Sequence, residues 1–111
     1  MIIRRFVNRR YEGNGNGARD VADFARRVAE AFSGICKSSP SMYGRYSATH
    51  AHTQGNDAAM ITMMKGSYPF LWFYCVQSGE KVKAVYADGS RFGTFGLDEY
   101  DDMASLMIDC L

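Results

Sequence analysis

The sequence predicts an α+β fold: an antiparallel sheet of about five strands, in the order β-α-β-meander-α, with two helices packed on one face. Three observations carry this reading. Val21, Phe24, Val28, Phe32 and Ile35 recur at steps of three and four, an apolar stripe at helical period. Residues 58–96 are cut by Gly66-Ser67, Ser78-Gly79 and Asp88-Gly89 into short β-rich runs, the pattern of consecutive hairpins. Residues 98–110 then return to a helical pattern. At 111 residues the chain forms one domain, residues 1–111, large enough for a core without staples.

Taken in order, Ile2 to Tyr11 reads as a first strand, its apolar pairs interrupted by Arg4, Arg5, Arg9 and Arg10 as on a sheet edge. Gly13-Asn14-Gly15-Asn16-Gly17 makes a flexible connection. It lacks the spacing of a phosphate-binding loop or a dinucleotide fingerprint. The first helix follows, with Asn16 or Asp20 as its cap and Asp23 and Arg27 spaced for a solvated ion pair. It ends between Gly34 and Lys37, before Pro40. Residues 38–57 admit two readings, a polar strand over Met42 to Thr53 or a recognition loop, and the strand is preferred because long structureless loops are uncommon in small domains. Strands then run from Ala58 to Lys65, through the central stretch at 68–77, and from Lys81 to Ala87, where Asp88-Gly89 turns the chain into a last strand. The second helix spans Asp98 to Cys110, with Leu97, Tyr100, Ala104, Met107 and Leu111 as its buried stripe. Asp98, Glu99, Asp101 and Asp102 suit the positive end of its dipole.

The whole chain is organised around Tyr68 to Gln77, where Tyr-Pro-Phe-Leu-Trp-Phe-Tyr-Cys-Val-Gln carries no charge. A half-buried strand alternates apolar with polar, and this one does not. Phe70, Trp72, Tyr74 and Val76 point one way, and Leu71, Phe73 and Cys75 the other. The strand is therefore expected to be covered on both faces, by helices on one side and by chain or a partner on the other. A homodimer is one way to bury the second face.

Composition narrows the class. A hydrophobic fraction of 47% with 23% charged residues is that of a globular protein. The apolar start of Met1-Ile2-Ile3 is not continued into a secretory signal, and no run reaches membrane-spanning length. Cys36, Cys75 and Cys110 are an odd set without metal-type spacing, read as reduced thiols in a cytoplasm. Net charge is +1 but unevenly spread: residues 1–55 hold nine Lys/Arg against four Asp/Glu, residues 56–111 four against eight. The five methionines Met60, Met63, Met64, Met103 and Met107 read as core filling.

No catalytic set is read, and no cofactor or metal is expected. His50 and His52 share one strand face and could hold a metal only with further ligands. A metal-dependent enzyme centred on them is the weakest reading. Cys36 with either histidine lacks the surroundings of a thiol enzyme, and a helix C-terminus raises a thiol pKa. The basic half has more content. Arg4, Arg9, Arg10, Tyr43, Arg45 and Tyr46 are residue types favoured at binding hot spots, with Asp98, Glu99, Asp101 and Asp102 as a second, acidic surface. The expected function is a protein-interaction module that binds and blocks another protein's surface, whose partner could belong to a nucleic-acid-processing complex. In size and architecture it is similar to phage-encoded inhibitors of host defence such as anti-CRISPR proteins, an analogy that implies a viral protein acting in the host cytoplasm. The alternative is a nucleic-acid-binding accessory protein whose Arg/Tyr-rich basic face meets phosphates and bases, although no RNP-type aromatic motif, double-stranded-RNA signature or helix-turn-helix pattern is present.

Overall fold

The computed structural model describes residues 17–53 and 57–111. The strand expected over Ile2 to Tyr11, and all but the last residue of the glycine-rich connection, lie outside the described residues. The elements in chain order are helix α1 (Val21–Ser38), a single helical turn α2 (Pro40–Tyr43), strands β1 (Tyr46–His52), β2 (Ala58–Lys65), β3 (Tyr68–Ser78), β4 (Lys81–Tyr86) and β5 (Arg91–Gly96), and helix α3 (Tyr100–Ile108). The five strands lie in the sheet in sequence order, each antiparallel to the next. The α+β class and the meander are as the sequence predicts.

Two hydrogen-bonding devices start α1. Asp20 is extended, and its Oδ1 accepts the Asp23 N–H at 2.9 Å, satisfying one of the orphan donors of the first turn. The second is remote: Gln77 on β3 accepts the Val21 N–H at 2.9 Å through its Oε1, pinning the helix start onto the sheet. Pro40 stops α1 and opens α2, the position where its missing N–H is tolerated.

The stripe of α1 does what its period requires. Phe24, Val28, Phe32 and Cys36 are fully buried with Ile61, Met63, Phe73, Cys75, Val82 and Ala84 of the strands. Met103, Ala104 and Met107 bring α3 into the same core. An aromatic group closes the far side, with the Phe73 ring 4.5 Å from Phe92 and 5.3 Å from Tyr86, and Phe24 reaching Phe95 at 6.3 Å. Gly93 is required there, since a Cβ on it would stand 2.9 Å from the Phe95 ring.

Several expectations need correction. The segment before β1 is not strand: Met42 and Tyr43 belong to α2, and pairing begins at Tyr46. The last helix is shorter than expected at both ends, and Leu111, expected in its buried stripe, is exposed while Met103 takes the inward position. Met60 and Met64 are not core filling either, because they alternate with Ile61 and Met63 and point away from the helices. Phe70 leaves the face assigned to it. A register shift between Met63 and Met64 breaks the alternation of β3, and the Phe70 ring sits edge-on to Tyr46 at 5.8 Å.

Truncating Phe73 at the centre of this core is expected to lower stability by about 3–5 kcal/mol in urea unfolding of Phe73→Ala. Val76→Thr, on the opposite face of the same strand, should stay within about 0.5 kcal/mol. Equal losses for the two would contradict the assignment of faces.

Candidate functional site: an open sheet face

The strands present two unlike surfaces. One is the core side just described. On the other, the registers align Ala51, Met60, Tyr74, Val85 and Arg91 in a single row across all five strands. The next row holds Ala58, Val76, Lys83 and Thr94, and on the other side of the first lie Thr49, Thr62 and Trp72. Trp72, Tyr74 and Val76 are 36%, 44% and 48% exposed, so the most apolar stretch of the chain keeps one face outside the core. Among the described residues neither helix packs on this face.

The surface has an apolar centre and an asymmetric border. Met60, Met64, Trp72, Tyr74 and Val76 form a stripe along β2 and β3, about 13 Å from Trp72 to Val76 at the rise of an extended strand. Beyond it on β1 stand the short neutral side chains of Ser47, Thr49 and Ala51. On the opposite side stand Lys81 and Lys83 of β4 and Arg91 of β5. Among the described strand positions facing this way, these three carry the only formal charges, and all are cationic.

The residues singled out by sequence fall elsewhere. Arg4, Arg9 and Arg10 lie outside the described residues. Tyr43 is half-buried against the core, and Arg45 is exposed in the turn before β1, where its carbonyl accepts the Gly66 N–H at 2.7 Å. Tyr46 packs on Phe70, with the Lys65 ammonium 5.8 Å from its ring centre. Asp98, Glu99, Asp101 and Asp102 lead into and open α3 in the helical layer, across the sheet from the open face. Glu99 turns back to accept the Gly96 N–H at 2.6 Å. The structure brings Tyr43, Arg45 and Tyr46 together at one end of β1 and keeps the four acidic residues apart from them.

The arginines of α1 have local work. The Asp23 carboxylate, its side chain 2% exposed, takes Arg26 at 2.6 Å, Arg27 at 3.3 Å and Arg19 at 3.6 Å, and accepts the Arg19 N–H at 3.0 Å. The pairing with Arg27 is therefore not the solvated pair expected from the spacing. Burial alone would raise this carboxyl, and it is the largest single influence. The Arg19 N–H, the Arg26 hydrogen bond and the charges of Arg27 and Arg26 together outweigh it and hold the pKa at about 2, below the ordinary 3.8. The Arg27 guanidinium also lies over the Tyr100 ring at 5.4 Å, tying α1 to α3.

His50 and His52 point to the same side of β1, as the spacing predicts, and both are exposed. Among the described residues no three His, Cys, Asp or Glu side chains converge on a common point. Cys36 faces the core, where burial raises its thiol pKa, and burial pushes Cys75 up to about 12. A surface groove of about 320 Å³ between α1 and β1 brings Glu30, Lys37 and His50 to one rim. Its Ser33 hydroxyl is engaged in accepting the Ala48 N–H at 3.1 Å.

Two measurements check these environments. Because the Asp23 pKa is depressed on folding, acid protonates the unfolded chain first. Its contribution to stability is complete above about pH 5 and lost as pH falls from about 4 toward 2. Asp23→Asn should remove about 2 kcal/mol at pH 7 and flatten the acid limb of the stability profile. For the thiols, a disulfide reagent at pH 8 should label Cys110 first, since it is only part-buried, and Cys36 and Cys75 only on unfolding.

The face is half legible in the sequence. The alternation of β3 separates Trp72, Tyr74 and Val76 from Phe73 and Cys75, but which cations border them depends on register, which no local pattern discloses. Comparison of the chain with protein families, curated proteins and solved structures finds no match.

Proposed function

We propose that the chain is a protein-interaction module that acts by binding and blocking another protein's surface, and that the open sheet face is the blocking surface. One observation carries the reading: Trp72, Tyr74, Val76, Met60 and Met64 stand together outside the core, bordered by Lys, Arg, Ser and Thr. An apolar, aromatic centre within a polar rim is the anatomy of a protein interface, and Trp, Tyr, Met and Arg are the residue types enriched there. Methionine adds a side chain that reshapes to its partner. The mode of action is occupancy, which needs no reacting group. Phage-encoded inhibitors of host defence, anti-CRISPR proteins among them, work in this way, and the likeness is one of size and architecture.

A second reading, nucleic-acid binding, is favoured by the uniform sign of Lys81, Lys83 and Arg91. It requires affinity that collapses between about 50 and 200 mM salt.

Capture experiments from cells expressing the full chain test the proposal. Wild type, Trp72→Ala/Tyr74→Ala and Asp101→Ala/Asp102→Ala are compared side by side after confirming equal folding. The expected result is a stoichiometric protein partner retained by wild type and the acidic variant, and weakened at least about 30-fold by the double aromatic truncation, at roughly 1–2 kcal/mol per hot-spot ring. Partner capture indifferent to Trp72 and Tyr74 would remove the open face from the proposal.

A further inference from the structure

We infer that the open face receives an amphipathic helix of the partner protein, laid along β2 and β3, with acidic side chains on the one flank that lies over β4 and β5. This inference rests on the reading of the face as a protein-binding surface and specifies what binds there.

The stripe sets the shape of the occupant. Met60, Met64, Trp72, Tyr74 and Val76 occupy two adjacent strands over about 20 Å from Met64 to Val76, too narrow for a second sheet and matched by about 13 residues of helix at 1.5 Å per residue. Helices are what cover sheet faces in α+β proteins, and α1 covers the reverse of this same sheet. A helix needs an apolar stripe three to four turns long to fill that length, with anchors at i, i+3, i+4 and i+7 and their repeat one turn on.

Charge fixes the orientation of this helix and disfavours both a face-to-face second copy and a single-stranded nucleic acid. A helix above the stripe overhangs Ser47, Thr49 and Ala51 on one side, which are short enough to admit its backbone closely. On the other side it overhangs Lys81, Lys83 and Arg91, whose desolvation needs anions on that flank. A second copy packed face to face does not supply them, because no acidic residue stands at a described open-face strand position. A single-stranded nucleic acid supplies anions in the wrong place. Trp72, the larger stacking platform, shares its row with Thr62 and Thr49, whereas Lys83 stands in the row of Val76 and Arg91 in that of Tyr74, so no cation at a described strand position shares the Trp72 row.

Trp72 is the sole tryptophan, so its emission reports this face directly. The full chain is titrated with a tryptophan-free amphipathic peptide of about 15 residues, long enough to form helix. The peptide carries a leucine stripe and glutamates on one flank, and a lysine-flanked analogue and a thymidine oligonucleotide serve as the other arms. The expected result is a saturable blue shift of Trp72 with the glutamate peptide, accompanied by induced helicity. Lys83→Glu/Arg91→Glu should weaken it roughly tenfold or more, and the lysine-flanked peptide should regain the loss on that variant. Equal response to both peptides, a response confined to the oligonucleotide, or a shift produced by concentrating the chain alone would each overturn the inference. If neither peptide binds while partner capture still depends on Trp72 and Tyr74, the helical occupant is wrong and the protein-binding reading stands. If capture is also indifferent, both fall.

Discussion

Burial of one helical stripe against one side of a sheet is the constraint on which the rest of this structure depends. Phe24, Val28 and Phe32 can leave water only by meeting Ile61, Met63 and Phe73. Once they do, every second residue of the strands is committed to the core, and the pleat sends its neighbours outward. The open face is thus not a separate construction. It is the other half of the same alternation, and its apolar character is the part the core did not require. Natural sheets usually place polar residues at such positions. Here Trp, Tyr, Val and Met stand there instead, and the interface proposal rests on that contrast.

Much of the fold was legible because local signals agreed with one another. The period of α1, the Asp20 cap and the stop at Pro40 mark the helix within a few residues. The turns at Gly66, Gly79 and Asp88-Gly89 mark the hairpins, and Gly89 adopts the positive φ of 91° that favours glycine there. The failures share a cause as well. Met42 and Tyr43 entered a short helix because Pro40 supplies a helix start at an unexpected place. Phe70 changed sides because a bulge opposite Met63 and Met64 inserts one residue into the alternation. Neither the helical turn nor the bulge leaves a periodic trace.

The candidate site was less legible. Sequence emphasis on arginine and tyrosine pointed to Tyr43, Arg45 and Tyr46, which the fold gathers at the end of β1, partly packed against the core. Arg26 and Arg27 were visible as charge but not as partners of a buried Asp23, since burial of a carboxylate follows from three-dimensional crowding at the helix start. Lys83 and Arg91 carry no distinguishing signal in the sequence, since each is an ordinary strand lysine or arginine. Only the cross-strand rows, Val76 beside Lys83 and Val85 beside Arg91, give them a common direction.

The Gln77 side chain that caps α1 has a kinetic meaning. Every strand pairing in the meander joins sequence neighbours, so each hairpin can close over a short loop. The bond from the Val21 N–H to Gln77 bridges 56 residues and belongs to contacts that form only when the helix docks. Topology of this mixed kind places local pairing early and the helix–sheet closure late. During that interval β3 shows water both its sides at once, Phe73 and Cys75 as well as Trp72 and Tyr74. The same strand that gives the finished molecule its surface is then the segment through which nascent chains can meet one another.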